Sequence, residues 1–537
     1  MRHLYTTILL FAAAHTHAQT PFPDGDSLCV NNLNVMSLAH GDMWHTTTPF
    51  RQHCRFSEGS RQGMYLAGAV WLSAVDASGN LHVSAQTYRQ NGNDFWPGPL
   101  DASGGLDYTT SAKWAKVWKV SRGEVNTHRA IVFHNLSNTP PSILSWPGKG
   151  NVYAKGRGDV PLDVIGDMAP FVDRNGDGIY QPLSGEYPDF KGDGALWWVF
   201  SDNGPAHNET NGAPLKVEIH AMAYGYKRST PIDNVVYYDY EIINRSGKDY
   251  TDMRFAIWSD PELRAYEDTY IAFDSARRLG IIYSAVDSGS GPSGTPSGAY
   301  GTHPPAAGIS FLKVPGDGGV GYVPVGSYTY YNNDPSVIGN PSSPAEYDGY
   351  MRARMRNGDH IKKNGVDVDY IVGGDPFDTS EIMGCVYGGA AGDMRTVMAT
   401  RGFALDDKRR EHIVFALVAD SAAGGCPSLD LSGLNRVADT AWGVYHNPPP
   451  ELGVNDHLAR SGSISVYPNP VYDVLIVDGT QQGAVVIVSN MLGATVASAA
   501  YSGTSTIKVP LHELPVGLYV VRYTDSVGTV ANTVMKQ

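Results

Sequence analysis

Apolar side chains return at every second position through much of this chain, in short runs broken by Gly, Pro, Asn and Asp. That is the pattern of strands with one face buried. In Asn234–Ile243, Val236, Tyr238, Tyr240 and Ile242 share one face, while Val235, Tyr237, Asp239, Glu241 and Ile243 make a mixed face with two acids. Met253, Phe255 and Ile257 share a face in Thr251–Trp258, and Val217–Tyr226, Tyr270–Phe273, Thr396–Leu405 and His412–Ala419 read as further strands. Gly63–Val75 and Leu81–Tyr88 flank the turn Asp76-Ala77-Ser78-Gly79-Asn80 and predict a hairpin. Trp114–Ser121 predicts another strand. Helical spacing is rarer. Arg122–Phe133 predicts a short helix, and Leu434, Val437, Ala438 and Ala441 form one stripe of a helix over Asp430–Tyr445, stopped by Pro448-Pro449-Pro450. The expected class is mainly all-β: multi-domain antiparallel sandwiches with one or two short helices.

The two ends differ from this body. Arg2 and His3 precede the apolar run Ile8–Ala14, with Ala18 before Gln19, which predicts a secretory signal peptide over 1–18. No run reaches the roughly 18 apolar residues of a membrane helix, so no transmembrane segment is expected. The body divides by expectation into a β-rich region at 19–215 and a large sandwich region at 216–446, followed by a polar linker at 447–462. Residues 463–537 hold seven short alternating runs separated by turns, which predicts a small immunoglobulin-like sandwich.

Composition agrees with export and adds a charge constraint. Gly (60), Pro (34) and Tyr (31) are abundant and charged residues few, as suits short strands and tight turns. A formal charge of −14 argues against nucleic acid or an anionic membrane surface as partner. Cys29, Cys54, Cys385 and Cys426 allow three pairings. Proximity favours Cys29–Cys54 and Cys385–Cys426 disulfides, with free buried thiols as the alternative.

The candidate chemistry begins at Phe171–Asp193. Asp173, Asn175 and Asp177 stand at every second position before Gly178, the front half of a calcium loop, and the Ile179 carbonyl supplies a further oxygen. Position twelve is Ser184 rather than Glu, and prolines flank the loop, so it is not an EF-hand; Glu186, Asp189 or Asp193 would complete the shell. The expected cofactor is structural Ca2+, against an ion-free cluster of Asx turns. Asp260, Glu262, Glu267, Asp268 and Asp274 form a possible second metal site, and a pair of these acids would also suit glycosidase chemistry. Trp96 is placed either to stack on a sugar or to plug a loop onto the sheet. His40 and His45 make a weak zinc candidate. No Gly-x-Ser-x-Gly elbow, His-Glu-x-x-His helix or Cys–His nucleophile context occurs.

Tyr467-Pro468-Asn469-Pro470, the strand Val485–Val488 before Leu492-Gly493, Leu514-Pro515-Val516-Gly517-Leu518-Tyr519 and the terminal Val534-Met535-Lys536-Gln537 resemble the type A sorting domain of type IX secretion in Bacteroidota. The resemblance implies that Pro468, Asn469, Pro470, Gly493, Gly517, Tyr519 and Lys536 belong to a sorting signal. It also implies type IX machinery and a surface sortase as partners, and a cell-surface or extracellular destination. Gln86–Pro99, the Asp173 loop through Phe200, and Trp258-Ser259-Asp260-Pro261-Glu262-Leu263 resemble a group of large surface proteins with the same signal; Glu262, Glu267 and Arg264 depart from its acidic motif. The expected function is a calcium-stabilised, non-catalytic surface β-protein for adhesion or glycan binding. The alternatives are an extracellular polysaccharide or peptide hydrolase using paired carboxylates, and a structural coat component.

Overall fold

The computed structural model describes residues 24–47, 50–56, 63–90, 92–131, 134–229, 231–263, 269–284, 305–316, 325–363, 365–372, 392–422, 429–448, 465–480, 482–490, 494–525 and 529–537. The expected signal peptide, most of the linker, and Cys385, Cys426, Glu267, Asp268 and Gly493 lie outside these residues. The chain divides into two compact units, Met1–Leu452 and Gly453–Gln537.

In the first unit two antiparallel sheets face each other across one core. The larger, of nine strands among the described residues, runs Thr269–Asp274, Leu279–Ser284, Pro305–Lys313, Arg410–Ser421, Val235–Asn244, Val217–Gly225 and Gly194–Ser201, the last pairing with both Trp96–Pro97 and Trp118–Ser121. The smaller, of six, runs Val325–Asn332, Met394–Thr400, Tyr250–Pro261, Tyr65–Val75 and Leu81–Ala85, with Phe403–Leu405 on Tyr250–Pro261. Val236, Tyr238, Tyr240 and Ile242 enter the shared core with Phe255, Ile257, Val70 and Leu72. Alternation along each strand sends these side chains inward together. The opposite face of Val235–Asn244 is covered too. The helix Ser432–His446 lays Leu434, Val437, Ala438 and Ala441 into a second core with Tyr237, Trp197 and Trp146. A third cluster, with Trp71, Trp258, Tyr331, Tyr347 and Tyr350, lies on the outer face of the smaller sheet.

Expected elements that rest on strong alternation are present. The Asp76–Asn80 hairpin joins Tyr65–Val75 to Leu81–Ala85. The predicted short helix is Arg122–Arg129, with Ser121 and Glu124 forming a reciprocal capping box. Trp114–Ser121 is a strand only from Trp118; Tyr108–Trp114 is a helix started by the Asp107 cap.

Two expectations are corrected. Residues 215/216 are not a boundary, because the nine-stranded sheet takes strands from both sides of that point. The Cys29–Cys54 disulfide is not formed: Cys29 is exposed past one strand end, while Cys54 lies in the core two strands away, with Val35 paired between Leu28 and Cys54.

The second unit is a sandwich of a three-stranded and a four-stranded sheet around Val477, Val486, Val488, Val509 and Val521. Its seven strands, Ser465–Tyr467 through Thr529–Lys536, match the number of alternating runs in the sequence.

Candidate functional site

A cleft of about 670 Å3 opens over the outer face of the smaller sheet. Its wall is built by a stitched loop, residues 85–90 and 92–95. Gln86 donates to the Gly92 carbonyl and accepts from the Asp94 amide, and Asp94 accepts the Ala85 amide. Arg89 holds the loop from behind. Its guanidinium grips Asp42 through Nε and Nη2, both at 2.8 Å, and donates to Asn93 Oδ1 and the Phe95 carbonyl at 3.0 Å. Arg89 has a φ of 60° and the neighbouring Trp44 one of 73°, left-handed values that side chains adopt only when the surroundings insist.

This wall presents Thr87 and Tyr88 to the cleft, and each holds an acid. Thr87 donates to Glu209 Oε1 at 2.5 Å, while the amide of Glu209 is itself fixed on Asp94 at 2.8 Å. Glu209 is 5% exposed, and its Oε2 has no hydrogen-bond partner among the described residues. The Tyr347 phenol is raised by burial and by Glu209 beside it, but does not reach Oε2 with hydrogen-bond geometry. Burial pushes the Glu209 carboxyl up to about 7, with Asp94 and Asp42 adding to the rise and Thr87 and Arg89 opposing it. Tyr88 donates to Asp260 and accepts from Arg395 Nε at 2.9 Å; Arg395 also pairs with Asp393 at 2.8 Å. Burial lifts Asp260 to about 6 and Glu262 to about 7. Phe50, 42% exposed, packs edge-on to Tyr88, and Asn208, Asn211, Asn333 and Asn340 complete a polar rim.

A second polar cluster lies on the larger sheet. His220, Glu241 and His412 are directly opposite one another on three adjacent strands. Glu218 and Asp239 extend the row into an alternating acid–imidazole ladder. His220 meets Glu218 at 2.9 Å and Glu241 at 3.4 Å; His412 meets Asp239 at 3.2 Å and Glu241 at 3.5 Å. Glu218 further accepts from Leu100 N at 2.9 Å and Arg245 at 3.0 Å. Asp239 and Glu241 hydrogen bonds raise His412 to about 9; in His220 the two glutamates outweigh burial and raise it as well. Burial opposes ionisation of Glu218 and Glu241, but their cationic partners win and hold both below the usual carboxylate range.

A third arrangement has the connectivity of a hydrolytic trio, with Ser84 Oγ 2.9 Å from His207 Nε2 and His207 Nδ1 3.5 Å from Asp94. Ser84 is fully buried and donates to Asp202 at 2.6 Å. A hydroxyl so placed cannot meet a substrate; the trio ties loops together.

The sequence candidates fare unevenly. Phe171–Val172 and Tyr187–Pro188 pair at the base of the expected calcium loop. Asp173 accepts the amides of Gly176 and Gly178, Asn175 that of Asp177, and Asp177 that of Ile179. Glu186 is buried beneath, holding the amides of Arg174 and Gln181, its pKa raised by burial and further by Asp173 and Asp177. Asp189 instead lines a cavity of about 370 Å3 beside His220 and His412. Of the second acidic cluster, Asp260 and Glu262 lie by Arg395, Asp274 pairs with Arg277 at 2.8 Å, and Glu267 and Asp268 lie outside the described residues. Among the described residues no three His, Cys, Asp or Glu side chains converge as metal ligands. His40 and His45 both face Asp42, already occupied by Arg89, which excludes the weak zinc reading there. Trp96 is fully buried with Nε1 on the Ala206 carbonyl at 2.7 Å, so it plugs a loop and cannot stack on a sugar. Glu209 and Arg395 carry no motif. The acids Asp239 and Glu241 on a strand face were the one sequence sign of the ladder.

In the second unit Asn469 clasps the last strand, accepting from Met535 N and donating to the Thr533 carbonyl. Gly517 pairs with Lys536, and Tyr519 donates to the Pro515 carbonyl at 2.8 Å. The molecule is thus a two-sheet β-sandwich with a polar cleft, followed by a separate small sandwich. Residues 465–537 match the secretion system C-terminal sorting domain, which marks the chain as type IX secretion cargo bound for the cell surface or extracellular space. No curated protein is similar to the chain. Among solved structures, a polysaccharide lyase aligns over 72% of this chain at 9% identity with a TM-score of 0.19, and the chain spans 38% of that protein's length. A likeness that slight carries no argument. Among the described residues no helix is long and apolar enough to cross a membrane.

Proposed function

We propose that this exported protein is a non-catalytic carbohydrate binder of the cell surface, with the cleft beside Glu209 as its binding site. One observation carries the reading. Glu209, the rings of Phe50, Tyr88, Tyr331 and Tyr347, and a rim of amides line one polar cleft. Rings accept the apolar face of a sugar, while amides and a carboxylate satisfy its hydroxyls. Hydrolysis by paired carboxylates needs two acids across the cleft. Glu209 is the acid on the lining, and Asp260 is fully buried under Tyr88 and Arg395, which favours binding over turnover. The full-length protein should retain one saccharide family on a glycan array and release no product from it. Turnover abolished by changing Glu209 and Asp260 would instead make it a hydrolase, and absence of any saccharide binding would leave the coat role.

Calcium belongs to the scaffold in this proposal. Asp173, Asp177 and Glu186 crowd negative charge into one loop; burial raises Glu186, and the two aspartates add to the rise. A divalent cation held by Asp173, Asn175, Asp177, Ile179 and Glu186 would relieve that repulsion.

A further inference from the structure

Where Val325 pairs with Thr400 at one end of the smaller sheet, four arginines surround a recess of about 330 Å3. They are Arg254, Arg352, Arg354 and Arg401, with His360 beside them and Asp369 as the acid on the lining. Asp369, 61% exposed, is engaged with His360 at 3.8 Å. So dense a group of cations stands out in a chain of formal charge −14. We propose that this recess binds a sulfate or phosphate group, as the free ion or as an ester on a saccharide.

The guanidinium groups come from three segments that meet only in the folded chain. Arg254 stands on Tyr250–Pro261, Arg401 follows Met394–Thr400, and Arg352 and Arg354 flank Ala353 beyond the helix Pro344–Tyr350. Ala353 is fully buried with a φ of 55°, a left-handed value that fixes the turn between the two arginines. Gly326, on the lining, sits in a β-bulge where a Cβ would come within 2.2 Å of the Thr400 carbonyl oxygen. Only glycine lets the backbones approach so closely there. Two of the arginines are braced and two are open. Arg352 places Nε on Asp348 at 2.8 Å and Nη1 on Asp252 at 2.5 Å. Arg254 meets Asp252 at 3.6 Å and the Thr400 carbonyl at 3.5 Å. Neither Asp252 nor Asp348 lines the recess. Arg354 gives Nη1 to the Gly358 carbonyl at 2.9 Å, and Arg401 makes no hydrogen bond or ion pair among the described residues. Both of these side chains are exposed, so an ion in solution reaches them.

A planar guanidinium meets two oxygens of an oxyanion with parallel N–H bonds. A carboxylate offers two oxygens in one plane and suits a single such fork. A sulfate or phosphate turns three or four oxygens toward different walls, which matches guanidiniums arriving from three segments. The screening length at physiological salt is about 8 Å, so these nearby cations outweigh the negative charge spread over the rest of the chain.

Calorimetry on the full-length protein at neutral pH tests this. The probes are inorganic sulfate, inorganic phosphate, mannose 6-phosphate, mannose, a sulfated galacto-oligosaccharide with its desulfated parent, and oligogalacturonate. At least one sulfate or phosphate probe should bind about tenfold tighter than the neutral sugars, and weaken as NaCl rises from about 50 to about 300 mM. Arg401→Gln and Arg354→Gln should each lower that affinity about tenfold, the usual effect of losing one charge-assisted hydrogen bond. Arg401 has no internal bond to lose, so the melting temperature of Arg401→Gln should not move. An inorganic ion binding as tightly as the esters would make the free ion the occupant, and a tighter ester would make it the saccharide; either supports the inference. Full affinity in both variants, oligogalacturonate binding as tightly as the sulfated probe, or no preference for sulfate or phosphate over the neutral sugars would overturn it. The recess shares no lining residue with the cleft beside Glu209, so the carbohydrate reading there stands or falls by its own test.

Discussion

The cleft and the acid–imidazole ladder both bury several ionisable side chains, yet the two regions spend that burial differently. In the ladder both glutamates lie between cations. Glu218 meets His220 and Arg245, and Glu241 meets His220, His412 and Arg410. Glu218 and Glu241 are held low, and His220 and His412 high. In the cleft the acids outnumber their cation, Glu209 and Asp260 each keep an oxygen without a hydrogen bond among the described residues, and the carboxyls are pushed upward. A completed network fastens strands together, whereas an incomplete one stores a demand that a ligand can meet.

Substitution should separate the two. The largest expected effect is in the ladder. Glu218→Ala leaves His220, Arg245 and the Leu100 amide without their acceptor, and loss of about 3–5 kcal/mol is expected in urea unfolding. A loss under about 1 kcal/mol would dissolve the contrast. Stability from the ladder also has two pH edges. Glu218 and Glu241, held low, contribute above the ordinary glutamate range and lose that contribution as pH falls through the lowered values. Its histidines, held high, contribute below their ordinary value of 6.5 and lose it as pH rises toward about 9.

The cleft should answer in the opposite direction. The folded state holds the proton of Glu209 more tightly than the unfolded chain does, so ionisation destabilises the fold as pH rises from the ordinary carboxyl value of 4.5 through about 7. Glu209→Gln removes that penalty. It is expected to stabilise the protein by about 3 kcal/mol at pH 8, and by almost nothing near pH 4.5, while weakening saccharide binding. Thermal melts at both values decide it; a destabilised variant at pH 8 would place Glu209 with the structural ladder. The smallest effect is expected at the Asp173 loop. Calcium at tenfold its dissociation constant should add about 1.4 kcal/mol and chelator should remove it. An unchanged melt, or the same response in Asp177→Ala, would take calcium out of the account.

Much of the architecture was legible along the chain. The faces of Val235–Asn244 divide as alternation requires, with Tyr238 and Tyr240 in one core and Tyr237 in the other. The helix Ser432–His446 buries the stripe that its spacing foretold, and the small terminal sandwich has the expected strands. Less followed where a residue's neighbours are distant. The Asp173–Asp177 loop stands out in the sequence because its acids are close together, but Asp189 turns to another cavity. Trp96 and Cys54 looked available for stacking and bridging, and the core took both.

Periodicity and turn chemistry are local properties, so the residue order alone determined the strands, their inward faces and the C-terminal sorting unit. The candidate site is a matter of long-range meeting: Glu209 reaches Thr87 across 122 positions, Asp260 reaches Tyr88 across 172 and Arg395 reaches it across 307. Strand order and register decided those meetings. They also decided which carboxylates found cations and which were left facing a cleft, because desolvation and pairing exist only once the sheets have closed.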